Sequence, residues 1–411
     1  MLLRERVAPA DMRQEMALVL LAARPALSMG ESAAFRAVLA RGVDSACLFE
    51  LARWHGLLPL LGEHVRTHAL NLASVDLMAA LDRRRREVAQ RNLLLTGRLV
   101  EVVQALEARG LDVAVFKGPA LAEQLYGSIA RREFCDLDVL VRPREAQRAF
   151  AVLEELRYTQ REEGATGRLR MRSLLRAECH RGFLNADGIT QIEVHWAFAP
   201  RYLSLELEAE ASLARAKRMR LADTVVKTLS AEDLLLALAV HGSKHCWERL
   251  EWLCSFGELA GGRIPMDWSV IEGRARKAGL LRLLCAALLL VRDLLGRALS
   301  QPAASLVGGD AAAARAAAQI REGLLRRESG FASPLERARS QLLSRERLRD
   351  RVRLAMRLAF APNARDRQSL PLPALLSPLY TVLRPLRLLR RVGAKVWHER
   401  AGEPRPYRRN P

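Results

Sequence analysis

Asp136 and Asp138 stand two positions apart at the head of an apolar run that ends at Val141, and Lys117-Gly118 closes an earlier one, Val113 to Phe116. Side chains alternate faces along a strand, so the two carboxylates point the same way while Leu137 and Val139 turn to the other side. Two hard oxygen ligands on one face are what Mg²⁺ takes when it also holds substrate phosphates. A strand ending in Lys-Gly before a helix presents backbone N–H groups and a helix N-terminus to an anion. Lys117 can reach such an anion as a point charge. A third carboxylate comes from Gln191-Ile192-Glu193-Val194-His195-Trp196, where Glu193 and His195 share a face and Ile192 and Val194 turn to the core. If that strand lies beside the Asp strand, three carboxylates converge, and such a cluster holds one metal or two about 3.5–4 Å apart.

Other residues near this constellation carry two readings each. Arg132, four residues before Asp136, either binds a γ-phosphate or pins the Asp pair. Tyr126 reads first as a core tyrosine and second as a base-stacking ring. His241 and His245 are spaced i, i+4 on one helix, which suits packed histidines near a cleft better than a metal pair. His195 is read as orienting Glu193 rather than shuttling protons. Trp247 and Trp252 read as core.

The elements that must position these groups follow from periodicity. Residues 1–95 read as a helical region, with a helix ending at Trp54-His55-Gly56, Pro59 opening the next, and a long amphipathic helix ending near Arg109-Gly110. Residues 96–200 read as the core: a strand over Val113 to Phe116, a helix over Pro119 to Tyr126, a strand over Leu137 to Val141, and a helix from Pro143 to Leu156. Residues 160–176 read as basic and irregular. A hairpin follows around Asn185-Ala186-Asp187-Gly188, since Asp-Gly between apolar runs is a turn signal. Residues 201–300 read as a second helical region, with Ser230 capping a helix from Ala231. Residues 301–411 read as a basic Pro- and Arg-rich tail with an amphipathic helix near 335–359. The expected fold class is α+β, a small mixed-sheet core embedded in helical flanks.

Composition narrows the function classes. The chain has 411 residues, half of them hydrophobic, and a formal net charge of +20. Residues 321–411 hold 22 Arg plus Lys against 8 Asp plus Glu, a net of +14. Such a segment attracts polyanions: nucleic acid, an anionic membrane surface or an acidic partner. The six cysteines form no CxxC pair, which argues against zinc knuckles and thioredoxin-type chemistry and fits a reducing cytoplasm. No stretch of about 18 apolar residues predicts a membrane span, and the charged stretch from Met1 to Met16 is unlike a secretory leader.

Lys117-Gly118, Tyr126, Arg132, Asp136-Leu137-Asp138-Val139-Leu140-Val141 and Ile192-Glu193-Val194-His195-Trp196 resemble the uncharacterised bacterial nucleotidyltransferase-5 family, within the polymerase-beta-like nucleotidyltransferase superfamily. The resemblance extends to His241, Trp252 and the terminal Pro- and Arg-rich segment. It implies Mg²⁺-dependent transfer of a nucleoside monophosphate from an NTP, with Mn²⁺ as a substitute ion, to a small molecule, an RNA or a protein. It further implies Asp136 and Asp138 as catalytic metal ligands, Glu193 as the third catalytic acid, ligand or base, and Gly118 as a contact to the triphosphate; Lys117 and Arg132, read above from their positions, complete the expected nucleotide-binding set. Pro119 stands where the superfamily usually has Gly or Ser, and Ser255 where the family resemblance leads one to expect Asp. The competing reading is a non-catalytic binding module that docks through the basic tail.

Overall fold

The computed structural model describes residues 13–161, 168–203, 205–327, 334–360 and 379–388. Its centre is a seven-stranded mixed sheet: β1 Val113–Val115, β2 Asp136–Val141, β3 Tyr158–Gln160, β4 His180–Asn185, β5 Gln191–His195, β6 Lys217–Leu221 and β7 Thr224–Thr228. Across the sheet the order is β3-β4-β5-β2-β1-β7-β6. The pair that matters most is β2 with β5. They run parallel, with Asp138 opposite Glu193 and Leu140 opposite His195. β1 is antiparallel to β2, and β4 antiparallel to β5.

The alternation expected along β2 and β5 decides the core. Leu137, Val139, Val141, Ile192 and Val194 are fully buried and pack with Phe150, Phe183 and Trp196. The 34-residue helix Val75–Ala108 lies on this layer through Leu95, Leu99, Val102, Val103 and Leu106. Burying one such side chain stabilises by about 1.5–3 kcal/mol, so the register of β2 and β5 is fixed by the face that must stay dry.

Two segments depart from the sequence reading. The stretch read as irregular, 160–176, starts on the last residue of β3 and ends within a helix, Arg168–Ala177. The region read as wholly helical after residue 200 contributes the β6–β7 hairpin, whose β7 pairs in parallel with β1 through Val115 and Thr228. In β6 only Leu221 is buried while Lys217, Arg218 and Arg220 are exposed. Such a strand has too few buried apolar positions to show a period of two.

The described residues fall into two compact units that divide between Glu346 and Arg347. Helices Gln301–Val307, Ala311–Arg327 and Pro334–Leu343 belong to the first unit, although the sequence reading placed them at the start of the tail. Arg345 anchors this end: its guanidinium is wholly buried and donates to Leu203 O at 2.9 Å and Gln341 Oε1 at 2.8 Å. In the second unit a helix spans Leu348–Phe360 and another spans 379–388. The basic stretch expected over Leu383 to Val396 lies largely outside the described residues, as do 1–12 at the N-terminus. Among the described residues no helix is long and apolar enough to cross a membrane. All six cysteines are free thiols.

One buried histidine away from the sheet makes the first unit acid-sensitive. His64 is 2% exposed and its Nε2 donates to Arg24 O at 2.8 Å. Burial pushes its pKa down to about 4. The folded state therefore favours the neutral ring. Its contribution is complete above the unfolded-state value near 6.5 and is lost as pH falls toward 4, up to about 3 kcal/mol. Urea unfolding at pH 7.5 and 4.5 should show His64→Gln losing less stability on acidification than wild type. Equal losses in both proteins would refute the assignment.

Candidate active site

The site is built where β1 hands over to a helix. The chain leaves Val115, passes Phe116 and Lys117, and enters the helix Gly118–Tyr126. Gly118 has φ +53°, and a Cβ there would lie 3.4 Å from Asp136 O and 3.6 Å from Leu137 Cδ2. The left-handed backbone and the close carbonyl together explain glycine at this turn. The turn aims Lys117 back at β2, where its Nζ lies 2.6 Å from Asp138 Oδ1.

Asp138, Glu193 and His195 meet across the β2–β5 pairing. His195 Nε2 lies 2.8 Å from Asp138 Oδ1 and 3.2 Å from Glu193 Oε2. His180 on β4, opposite His195 in the ladder, places Nε2 3.6 Å from the same Glu193 oxygen. The two imidazoles stack with centroids 4.8 Å apart, and Phe116 meets His195 edge-on at 5.2 Å. Asp138 Oδ2 is buried and has no hydrogen-bond partner among the described residues.

Electrostatics follow from this crowding. Burial opposes charge on Asp138, but Lys117 and His195 overcome it and hold its carboxyl well below the usual range. Burial also opposes charge on Glu193, and the His195 hydrogen bond brings it down to about 2. Asp136 is pushed up by burial and by the Asp138 charge. Lys117 is desolvated, yet Asp138, Asp136 and Glu193 together hold its pKa above the ordinary value. Burial and the neighbouring His195 push His180 down to about 4.

A cavity of about 390 Å³ collects all six residues singled out from the sequence: Lys117, Gly118, Arg132, Asp136, Asp138 and Glu193. Arg132 is buried at the cavity wall. The loop that carries it is tied to the long helix by Asn92, which donates to Ile129 O at 2.6 Å and Arg132 O at 2.8 Å. Its Nε lies 3.3 Å from Ser255 Oγ, and Ser255 also bonds Tyr126 OH at 2.9 Å. Neither the Asp pair nor any other described carboxylate forms an ion pair with Arg132. Tyr126 is core, as expected.

The helices Ala231–Lys244 and Leu250–Ala260 close the far wall. His241, His245 and Trp252 form a triangle there, with ring centroids 4.9, 5.1 and 5.2 Å apart. Trp247 is core at 1% exposure, but Trp252 is half-buried and faces the cavity, which corrects the expectation that both are core. Sequence reasoning missed Cys179, His180 and Lys244. His180 was within reach of it: the Asp187-Gly188 turn pairs Asn185 with Thr190, and counting back along that ladder puts position 180 opposite His195.

No curated protein matches the chain. Residues 41–296 match a family described as uncharacterised nucleotidyltransferase. That span contains every strand of the sheet and every residue lining the cavity. With well over half its length matched, the chain belongs to that uncharacterised nucleotidyltransferase family.

Proposed function

We propose that this protein transfers a nucleoside monophosphate from an NTP to an acceptor, with Asp136, Asp138 and Glu193 as its catalytic carboxylates. The observation that carries this reading is the pairing of Asp138 with Glu193 across parallel strands beside a buried lysine at a helix start. The donor set fits a divalent cation. It combines hard carboxylate oxygens with a buried Asp138 Oδ2 that has no partner among the described residues. Such a cation, Mg²⁺ or Mn²⁺, would supply positive charge against the triphosphate and the developing pyrophosphate.

The chain's own residues bind and orient. Lys117 and Arg132 present cationic groups to phosphate oxygens, and the glycine turn lets the backbone approach them. The acceptor oxygen bonds to the α-phosphorus, the α–β bridging P–O bond breaks, and pyrophosphate leaves with the electron pair. The acceptor proton passes to a carboxylate of the trio. Positioning and electrostatics carry most of the rate in such a transfer. The test is a thermal upshift of the protein with an NTP and a divalent cation, followed by labelled transfer into small molecules, RNA and lysate proteins. Absence of both for all four NTPs in folded protein would turn the reading to a binding scaffold.

The second unit supports a partner proposal, an anionic membrane surface. On the helix Leu348–Phe360, Leu348, Val352, Met356 and Phe360 recur every fourth residue and are 74, 52, 54 and 38% exposed. Arg349, Arg353 and Arg357 run alongside them. An apolar stripe flanked by arginines suits the interface of an anionic bilayer better than nucleic acid, which offers phosphate but no acyl layer. Flotation with phosphatidylglycerol vesicles should carry the full-length protein, and Val352→Asp/Met356→Asp should reduce the bound fraction about tenfold or more. Vesicle binding unchanged by the pair, or salt-sensitive RNA binding in its place, would refute the proposal.

A further inference from the structure

We infer that the metal centre of this protein is histidine-bearing: His180 and His195 join Glu193 and Asp138 in a site that selects a transition ion of the Mn²⁺, Co²⁺ or Zn²⁺ class over Mg²⁺. The inference rests on the carboxylate-site reading above, and ion binding tests it separately from catalysis.

The ladder of three strands creates the set. His180 on β4 faces His195 on β5, and Glu193, two residues before His195, faces Asp138 on β2. Both imidazoles bring Nε2 to one carboxylate oxygen, Glu193 Oε2, at 3.2 Å from His195 and 3.6 Å from His180. Ligand atoms of Asp138, Glu193 and His195 lie within 4.8 Å of one another. Asp138 Oδ2 is buried and unpartnered among the described residues, although Lys117 holds Oδ1. A carboxylate oxygen deprived of both water and donor costs free energy until a cation meets it.

Donor chemistry selects the ion. Mg²⁺ keeps an all-oxygen octahedron with several waters, whereas imidazole nitrogen suits Mn²⁺, Co²⁺ and Zn²⁺ progressively better. Two imidazoles converging on a carboxylate oxygen form a mixed nitrogen–oxygen set, one that Mg²⁺ uses poorly. The surroundings also match a ligand role for His180. Its other ring nitrogen, Nδ1, lies 3.2 Å from Cys179 Sγ, and a metal-bound histidine is commonly oriented through its second nitrogen. Cys179, His180 and His195 themselves cluster within 4.8 Å, so the thiol stands next to the site as either orienter or ligand.

The experiment titrates full-length protein with Mn²⁺ alone, following free Mn²⁺ by its electron paramagnetic resonance signal, and then adds Mg²⁺ as competitor. Wild type should bind Mn²⁺ and retain it against a tenfold molar excess of Mg²⁺. His180→Ala should weaken Mn²⁺ binding by about 10- to 100-fold, with Mg²⁺ affinity changed less than twofold. His180→Asn serves as a second variant, and circular dichroism checks that each is folded. Co²⁺ absorption adds a spectroscopic signature. A thiolate charge-transfer band lost in Cys179→Ser makes the thiol a ligand, and d–d bands that survive Cys179→Ser but shift in His180→Ala make it an orienter; both support the histidine site. Equal competition by Mg²⁺ and Mn²⁺, or unchanged Mn²⁺ affinity in both His180 variants, overturns it. Histidine-dependent Mn²⁺ binding without transfer from any NTP would leave this assignment standing and remove the catalytic one.

Discussion

Asp138→Asn should lower nucleotidyl transfer by about a thousandfold or more and abolish the cation-dependent thermal upshift with NTP. Asparagine keeps the side-chain shape, removes the charge and turns one acceptor oxygen into an N–H donor. Asp138 is 1% exposed, touches Lys117 at 2.6 Å and His195 at 2.8 Å, and faces Glu193 across the sheet. It is the carboxylate most firmly held ionised, because its two cationic neighbours outweigh the cost of burial. Removing one member of a buried ion pair typically costs about 3–5 kcal/mol. Here Asp136 and Glu193 remain to face the cations, so the stability loss should fall at or below the lower end of that range. Urea unfolding checks the fold, and radiolabelled transfer checks the chemistry. Undiminished transfer in a folded variant would sink the catalytic reading of the cluster.

Lys117→Met should move two affinities in opposite directions. The ammonium is nearly buried and sits against all three carboxylates, with Asp138 its closest partner. It therefore repels a divalent cation at the same oxygens. A unit charge at 4 Å is worth about 4 kcal/mol at an effective dielectric near 20. Partial screening by the other charges still leaves an expected gain in cation affinity of about tenfold or more. NTP loses a phosphate partner at the helix start, so transfer should fall about a hundredfold or more. Methionine matches the length of the lysine stem and fills the space it leaves. Calorimetric titration with the cation alone, then with NTP, separates the two effects. A fall in cation affinity would show that Lys117 shapes the carboxylates rather than competing for them.

Both expectations start from features legible in the chain. The alternation Asp136-Leu137-Asp138-Val139 already requires two acids on one face and two apolar side chains on the other, because strand geometry has a period of two. Lys117-Gly118 already marks a strand end before a helix, and the positive φ of Gly118 gives that turn its physical reason. The Ser230 cap is equally local: its Oγ accepts from Asp233 N at 3.3 Å at the start of Ala231–Lys244. These are short-range matters of pleat, turn and unsatisfied backbone groups, which a few consecutive residues settle.

What lay beyond the sequence was the choice of neighbour. Nothing local says that β5 runs parallel beside β2, or that this register sets Asp138 opposite Glu193. Three of the five β6 side chains are exposed and only Leu221 is buried, so the hairpin that β7 pairs to β1 left a weak hydrophobic signature. Arg345, one residue in a basic stretch, is wholly buried, with Leu203 O accepting from its Nε and Gln341 Oε1 from its Nη2. Partner choice of this kind is made by packing energy summed over distant segments. The sequence by itself determined which faces carry acid and which carry core. Only the tertiary structure decided that His180, His195 and Lys117 would share those acids, because it brings together three strands and a helix start that lie up to 78 residues apart along the chain.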